Sequence, residues 1–334
     1  MASRPRLAVD CMGGDGGPAV TTSAAYAVRD HATVSLFGDR RAIQQAAVAA
    51  GIPSPDAGWA SVVHSDLAVS ADDGLRRILR QGAASSLGLA LQQLRNDQVD
   101  AVISAGDTAA VMSLSRHLLG TLNGVARPAI AREFLGKQGP FWMADLGANV
   151  SCTADQLHAF GRQLVVAARM LSGIDAPRCA LLNIGVEQGK GPELLRRTAQ
   201  LLDADAETDF IGYVEPSELF ENRADVVICE GFVGNIALKS IEGTASMARH
   251  MVRREIAQSS LLQRMVLGML RPVVEGIRHG LDTDRYNGAQ LLGLPGVVVK
   301  SHGSATSRAF EFALRRAIEC VDQALPERLA AAAR

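Results

Sequence analysis

Several things are missing from this 334-residue sequence, and each absence removes a class of function. There is no excess of positive charge: 34 Lys and Arg stand against 35 Asp and Glu, for a formal net charge of -1. A dedicated nucleic-acid binder carries a basic excess, so that class is set aside, and any acidic partner has to dock on a local basic patch. No apolar run reaches the ~18 residues that a membrane span needs. The first ten residues, MASRPRLAVD, hold no apolar signal region. The five cysteines, at 11, 152, 179, 229 and 320, are odd in number and lack metal-type spacing. They read as reduced, mostly buried thiols of a cytosolic protein. The seven histidines include no HExxH pair, so a zinc site has little support. There is no internal repeat and no low-complexity linker.

What is present is a rhythm of short apolar runs, each followed by a helical stretch. Strands are predicted at Leu7–Asp10, Thr33–Gly38, Ser61–His64, Ala101–Ala105, Phe141–Asp145, Cys179–Ile184, Phe210–Val214, Asp225–Cys229 and Val297–Ser301. Many are continuous runs of Val, Ile, Leu and Ala, as in strands buried on both faces of a parallel sheet. Helices are predicted at Ala19–Arg29, Ser85–Leu94, Thr153–Leu171 and Pro192–Leu202, among others. The alternation is that of a doubly wound α/β fold. One segment breaks it: from Gly234 to about Gly280 there is no convincing strand. Leu262, Val266, Met269, Leu270, Val273 and Ile277 fall at helical spacing, with Pro272 placed to kink the helix. This reads as a helical hairpin in the core or at a dimer interface, or as an arm that also touches a membrane surface.

In doubly wound sheets ligands bind beyond the carboxyl ends of the strands. Six of those ends carry glycine with Ser, Asn, Asp, Lys or His. They are CMGGDGGP after Asp10, SAGDTAA from Ser104, DLGANVSC from Asp145, NIGVEQGKG from Asn183, EGFVGN from Glu230 and KSHGSAT from Lys300. Glycines there let amide N–H groups approach an anion, and the helix amino termini that follow favour negative charge. A ligand bearing phosphate is the natural expectation. Each motif alone also has a plainer role. The glycines are ordinary turn residues, Asp107 and Ser304 are helix N-caps, Asn149 and Asn235 satisfy turn backbone, and His302 is a hydrogen-bonded buried histidine. Lys190, between Gly189 and Gly191 and directly before a helix starting at Pro192, is the hardest to dismiss. GVEQGKG is not a Walker A loop, since Gly191 stands where Ser or Thr should hold magnesium, and no GxGxxG follows a strand.

Taken together, the stretches VDCMGGDGGP, SAGDTAA, GVARPAIA, DLGANVSC, LLNIGVEQGKG, DVVICEGFVGNIALKSIEG and YNGAQLLGLPGVVVKSHGSA resemble, in order and over nearly the whole chain, the acyl-carrier-protein:phosphate acyltransferases of bacterial phospholipid synthesis. The resemblance implies a single α/β domain over residues 1–334 of the isocitrate and isopropylmalate dehydrogenase type, with residues 234–280 as a helical arm within it. It implies a cytoplasmic homodimer, peripherally associated with the membrane, that makes acyl phosphate from a fatty acyl-carrier-protein thioester and inorganic phosphate. A membrane glycerol-3-phosphate acyltransferase would consume the product, and no cofactor, metal or nucleic acid is involved.

In that pattern the functional positions are Lys190 and Asn235. Lys190 is expected to hold phosphate and the developing oxyanion, Asn235 to orient the thioester, and His302 to donate a hydrogen bond or protonate the leaving thiol. Substrate contacts are expected from Asp10, Gly13, Gly14, Asp15, Ser104, Gly106, Asp107, Thr108, Asn149, Asn183, Gly234 and Ser304. Arg76, Arg77, Arg80, Arg253 and Arg254 are candidates for docking an acidic carrier protein. The chain departs from the pattern at Gly82, Ala83, Asp107, Ala109, Ser151, Val186, Pro192 and Glu230, and Asp107 puts a carboxylate where phosphate is expected. A divergent relative with another acyl donor or acceptor, and a non-catalytic scaffold that binds the carrier protein, are the alternative readings. A dehydrogenase on the same fold would need a dinucleotide fingerprint, which is absent.

Overall fold

The opening run Arg6–Asp10 forms a strand, β1, whose last four residues are buried, as its apolar sequence requires. It belongs to a computed structural model that describes residues 4–70, 72–187, 189–258, 276 and 282–333. The chain continues through α1 (Gly17–Ala27), β2 (Thr33–Gly38), α2 (Arg40–Ala49), β3 (Ala60–His64), α3 (Leu75–Gln81), α4 (Ser86–Arg95), β4 (Ala101–Ser104) and α5 (Thr108–Leu119). Then follow β5 (Ala129–Leu135), β6 (Pro140–Ala144), α6 (Ala154–Ser172), β7 (Arg178–Leu182), α7 (Glu193–Asp203), β8 (Asp209–Val214) and β9 (Val226–Ile228). The last elements are α8 (Gly231–Gln258), β10 (Ala289–Leu292), β11 (Val297–Lys300), α9 (Ser307–Asp322) and α10 (Leu325–Ala332).

The strands form one sheet in the order β3-β2-β1-β4-β11-β10-β5-β6-β9-β7-β8. Five strands from β3 to β11 are mutually parallel, and so are the four from β6 to β8. Between them lie three antiparallel junctions in succession, β11 with β10, β10 with β5, and β5 with β6. The fold is therefore mixed α/β, and the two parallel halves run in opposite senses.

The expected wholly parallel sheet is corrected at its centre, because β5 and β10 carry little of the strand signal. In β5 the neighbours Arg132 and Glu133 interrupt the apolar run. The fold satisfies both: Arg132 pairs with Glu242 of α8 at 3.2 Å, and Glu133 accepts from Arg316 of α9 and Ser172 of α6. The four-residue strand β10 lies directly between Gly288 and Gly293, both at positive φ.

Side chains alternate across the sheet, giving one apolar layer on each face. Leu7, Val9 and Ile103 face α1, α6 and α9; Ala8, Val102 and Met143 face α4, α5 and α8. Trp142 is fully buried, and its indole N–H donates to Ser172 at 2.7 Å, so its polar atom is not stranded. The 19-residue helix α6 begins on a capping box between Thr153 and Gln156 and stops at Gly173 in the left-handed region.

Of the helical arm expected over 234–280, residues up to Gln258 continue α8. The rest of it, including the expected kink at Pro272, falls outside the described residues except for residue 276. No described helix is long and apolar enough to cross a membrane.

The Arg316–Glu133 pair ties the central strand β5 to α9, with both side chains about 15% exposed. Arg316→Ala strands a carboxylate in that position and is expected to cost about 3 kcal/mol, read as a lower urea midpoint. A loss under roughly 1 kcal/mol would match an ordinary surface pair and contradict this assignment.

Candidate functional site

The strand-end loops fall into two groups. Because of the three reversals, the ends of β1, β4 and β11 leave one edge of the sheet, and those of β6, β9 and β7 leave the other. The expectation that six strand ends meet in one place is corrected accordingly.

On the first edge, Asp10 closes β1 and is buried. Its carboxyl accepts from the hydroxyls of Ser86 and Ser104, each at 2.7 Å, and from the Met12 amide at 3.2 Å. Burial raises the Asp10 pKa, and these hydrogen bonds oppose the shift. The glycine-rich loop beyond it packs on the protein's own backbone. A Cβ on Gly13 would lie 2.5 Å from the Gly106 amide nitrogen, and one on Gly14, at φ +80°, 2.7 Å from the Gly303 carbonyl. The Asp15 amide donates to that same carbonyl at 2.8 Å. These glycines thus lock the loops after β1, β4 and β11 together. Ser104 also accepts from the Gly106 amide at 3.0 Å. Asp107 caps α5 by accepting from the Ala110 amide at 3.0 Å, and Thr108 is the first residue of that helix.

The third loop on this edge follows Lys300. Asn287 holds it by accepting from the His302 amide at 2.9 Å and donating to the Ser301 hydroxyl at 2.7 Å. The His302 Nδ1 accepts from the Ser304 amide at 3.2 Å and lies 2.9 Å from the Ser304 hydroxyl. That leaves Nε2 to carry the proton of the neutral ring. Nε2 lies 3.3 Å from the Lys239 Nζ and 3.5 Å from the Glu242 carboxylate. Glu242 also receives Lys239 at 3.0 Å and Arg132 at 3.2 Å. Burial alone would raise the Glu242 pKa. The hydrogen bonds from His302 and Lys239, with the charges of Lys239 and Arg132, pull it down to about 2. Lys300 is pushed the other way: burial lowers its ammonium to about 8, while the nearby Asp107 carboxylate opposes the shift. The carboxylate that looked repulsive in the sequence therefore sits near a buried cation. A cavity of about 460 Å³ opens on this cluster, with Arg132, Lys239, Glu242, His302 and Ser304 among its lining residues.

On the second edge the buried Asp145 organises the loop after β6. It accepts from the amides of Ile130, Gly147, Ala148 and Asn149 and from the Asn149 side chain, at 2.7–3.2 Å. The amino end of α8 is driven into this loop. A Cβ on Gly231 would lie 2.4 Å from the Asn149 carbonyl oxygen, and one on Gly234 only 1.9 Å from that of Asp145. Only glycine permits that approach. The next residue, Asn235, is exposed and packs over Gly147.

The Asn183–Gly191 loop leaves the same edge from β7. Asn183 is buried and donates to the carbonyls of Gly185 and Lys190 at 3.0 and 3.2 Å. The Lys190 side chain lies over Gly185 and pairs with Glu187 at 2.9 Å, which raises its pKa. Since β9 and β7 are parallel neighbours, the helix that carries Asn235 and the loop that carries Lys190 leave adjacent strand ends. The structure thus brings this pair to one edge and leaves His302 on the other.

Four residues expected as substrate contacts, Asp10, Ser104, Asn149 and Asn183, are buried and spend their polar atoms on these loops. They position the site rather than present to it. Lys239, Glu242 and Arg132 belong to none of the glycine-rich strand-end loops. The spacing of Asn235, Lys239 and Glu242 is helical and visible, and it puts all three on one face of α8. That face rises about 10 Å from Asn235 to Glu242 and so joins the two edges across the sheet.

Because Glu242 titrates below its ordinary value when folded, its ionised form stabilises the fold above pH about 4.5. That contribution is lost as the pH falls toward 2. The melting temperature of Glu242→Gln is therefore expected to fall less steeply than that of the native protein over this range. Equal slopes would contradict the ion cluster.

Comparison with known proteins agrees with this architecture. A family profile described as "Fatty acid synthesis protein" matches residues 5–328. The chain is 39% identical over 330 residues to the phosphate acyltransferase of Halorhodospira halophila, covering 98% of this chain and 95% of the relative. It is 42% identical over 331 residues to that of Bordetella petrii, covering 98% and 92%. Among solved structures, a phosphotransacetylase from Streptococcus pyogenes superposes with a TM-score of 0.63 at 15% identity, covering 96% of this chain and 95% of that one. That last likeness concerns the fold. The chain belongs to the fatty acid synthesis protein family, whose curated relatives here are phosphate acyltransferases.

Proposed function

We propose that this chain makes acyl phosphate from a fatty acyl-carrier-protein thioester and inorganic phosphate, in the service of phospholipid synthesis. A phosphate oxygen attacks the thioester carbonyl carbon, the carbon–sulfur bond breaks, and the proton of hydrogen phosphate passes to the departing thiolate. The products are acyl phosphate and the free thiol of the carrier. Two anionic centres develop close together, so fixed positive charge and amide donors lower the barrier. No side-chain nucleophile is needed, because holding both reactants in attack geometry supplies much of the acceleration.

The observation that supports this reading is that the loop carrying Lys190 and the helix carrying Asn235 leave the ends of adjacent parallel strands, in a chain of this family. In the proposed reaction Lys190 leaves Glu187 to hold phosphate and the oxyanion, while Asn235 orients the thioester. His302, beside Lys239 and Glu242, is the proposed relay that passes the phosphate proton on to the departing thiolate, brought toward the same path by the common face of α8. Gly13, Gly14, Asp15, Gly106, Asp107, Thr108 and Ser304 frame the far side, and Gly234 keeps Asn235 in place.

The fold proposed is that of the isocitrate and isopropylmalate dehydrogenases, with the whole chain as one domain. The exposed arginines 76, 77 and 80 on α3, and 253 and 254 on α8, support docking of an acidic carrier protein. Phe232, Met247 and Met251, exposed on α8, support an arm that meets a second copy or a membrane surface. Residence in the cytoplasm at that surface, and handing of the product to a membrane glycerol-3-phosphate acyltransferase, complete the proposal.

Removal of one oxyanion donor typically costs 10²–10³ in kcat. Lys190→Ala is expected to lose roughly that factor in acyl phosphate formation, assayed with purified protein, acyl-carrier thioester and phosphate. Normal product formation by this variant would remove Lys190 from the reaction. Gly234→Ala, which forces α8 off the Asp145 loop, is expected to lower both the melting temperature and the rate. A variant with native melting and native rate would show that this close approach is not required.

A further inference from the structure

The face of α8 that turns away from Lys239 and His302 borders a second, predominantly apolar groove of about 600 Å³. Resting on the activity proposed above, we infer that this groove holds the hydrocarbon chain of the acyl donor. Its head lies at the Leu182 and Val233 end, and its tail runs toward Ala248 and Tyr286.

Three observations carry the assignment. The first is continuity with the site. Leu182 immediately precedes Asn183, whose loop carries Lys190, and Val233 is two residues before Asn235. The head of a chain lying in the groove is therefore at the strand end whose loop carries Lys190 and at the end of α8 that carries Asn235. The second is length. From Val233 to Ala248, α8 rises about 22 Å. An extended chain advances roughly 1.2 Å per bond, as a polypeptide backbone does, so a sixteen-carbon acyl group spans about 18 Å. The third is the lining. Phe134, Leu182 and Leu219 form a buried floor, while Ala237, Ala245 and Ala248 of α8 leave open width above it. The Arg132–Glu242 ion pair lines both this groove and the cavity beside His302, so it stands between the two. A groove of this size lies within the usual range for small-molecule sites.

The test compares kcat/KM for acyl-carrier thioesters of eight to sixteen carbons in the full-length protein. Each buried methylene is worth roughly fourfold in affinity. The native enzyme is therefore expected to gain by steps of that order as the chain lengthens. Ala248→Trp, at the tail end, is expected to lower the ratio of sixteen- to eight-carbon activity at least tenfold. Ala245→Trp, nearly one turn nearer the head, is expected to move the preferred length shorter still. A native profile flat with chain length would overturn the inference. So would variants that lose all donors equally, including variants whose sedimentation shows a dimer falling apart, since the groove is then a subunit contact. If the native protein forms no acyl phosphate from any donor, the proposed activity fails separately. Calorimetric titration of S-palmitoyl-pantetheine into the native protein and Ala248→Trp then decides the groove alone. Binding weakened at least tenfold by the tryptophan supports it, and equal binding or none overturns it.

Discussion

The close contact between the amino end of α8 and the loop after β6 is the constraint on which this architecture turns. Gly231 and Gly234 allow helix backbone to press against the carbonyls of Asn149 and Asp145 at distances no side chain tolerates. Asp145, with its five hydrogen bonds, keeps that loop from yielding. Everything further along α8 inherits its position from this seat: Asn235 over Gly147, then Lys239 and Glu242 against His302. The helix serves as a ruler laid across the sheet, with one stripe polar and the other bordering an apolar groove.

The sheet makes the ruler necessary. Three antiparallel junctions reverse the sense of the strands midway, so the glycine-rich ends of the two halves point to opposite edges. In a wholly parallel sheet those loops would gather on one side without help. Here a helix that starts at one edge and reaches the other supplies the connection. Buried charge marks the path, with Glu242 held ionised by the cations around it and Lys300 weakened by burial.

Much of this was legible in the sequence. All nine predicted strands form, several to within a residue, because runs such as LAVD and AVIS are apolar enough to be buried on both faces. The loops after them were marked by glycine, and Lys190 and Asn235 were singled out by the resemblance of their motifs to a family pattern. Two strands were not legible, and they decide the topology. Residues Ala129–Leu135 hide behind Arg132 and Glu133, whose charges make sense only once Glu242, Ser172 and Arg316 arrive from distant helices. The run AQLL of β10 holds a polar Gln290 and is hemmed by Gly288 and Gly293, so it reads as part of a turn-rich stretch. For the same reason Asp10, Ser104, Asn149 and Asn183 looked like ligand contacts. A buried polar side chain that holds a loop and one that holds a substrate look alike until the partners of each atom are known.

The central claim is that Lys190 and Asn235 act together on one thioester–phosphate pair. The measurement that tests it most directly is a double-mutant cycle on acyl phosphate formation with Lys190→Ala, Asn235→Ala and the double variant. The account predicts that the double variant loses much less than the product of the two single losses, because removing either residue already spoils the shared geometry. Losses that simply multiply would mean that the two residues act independently and would contradict it.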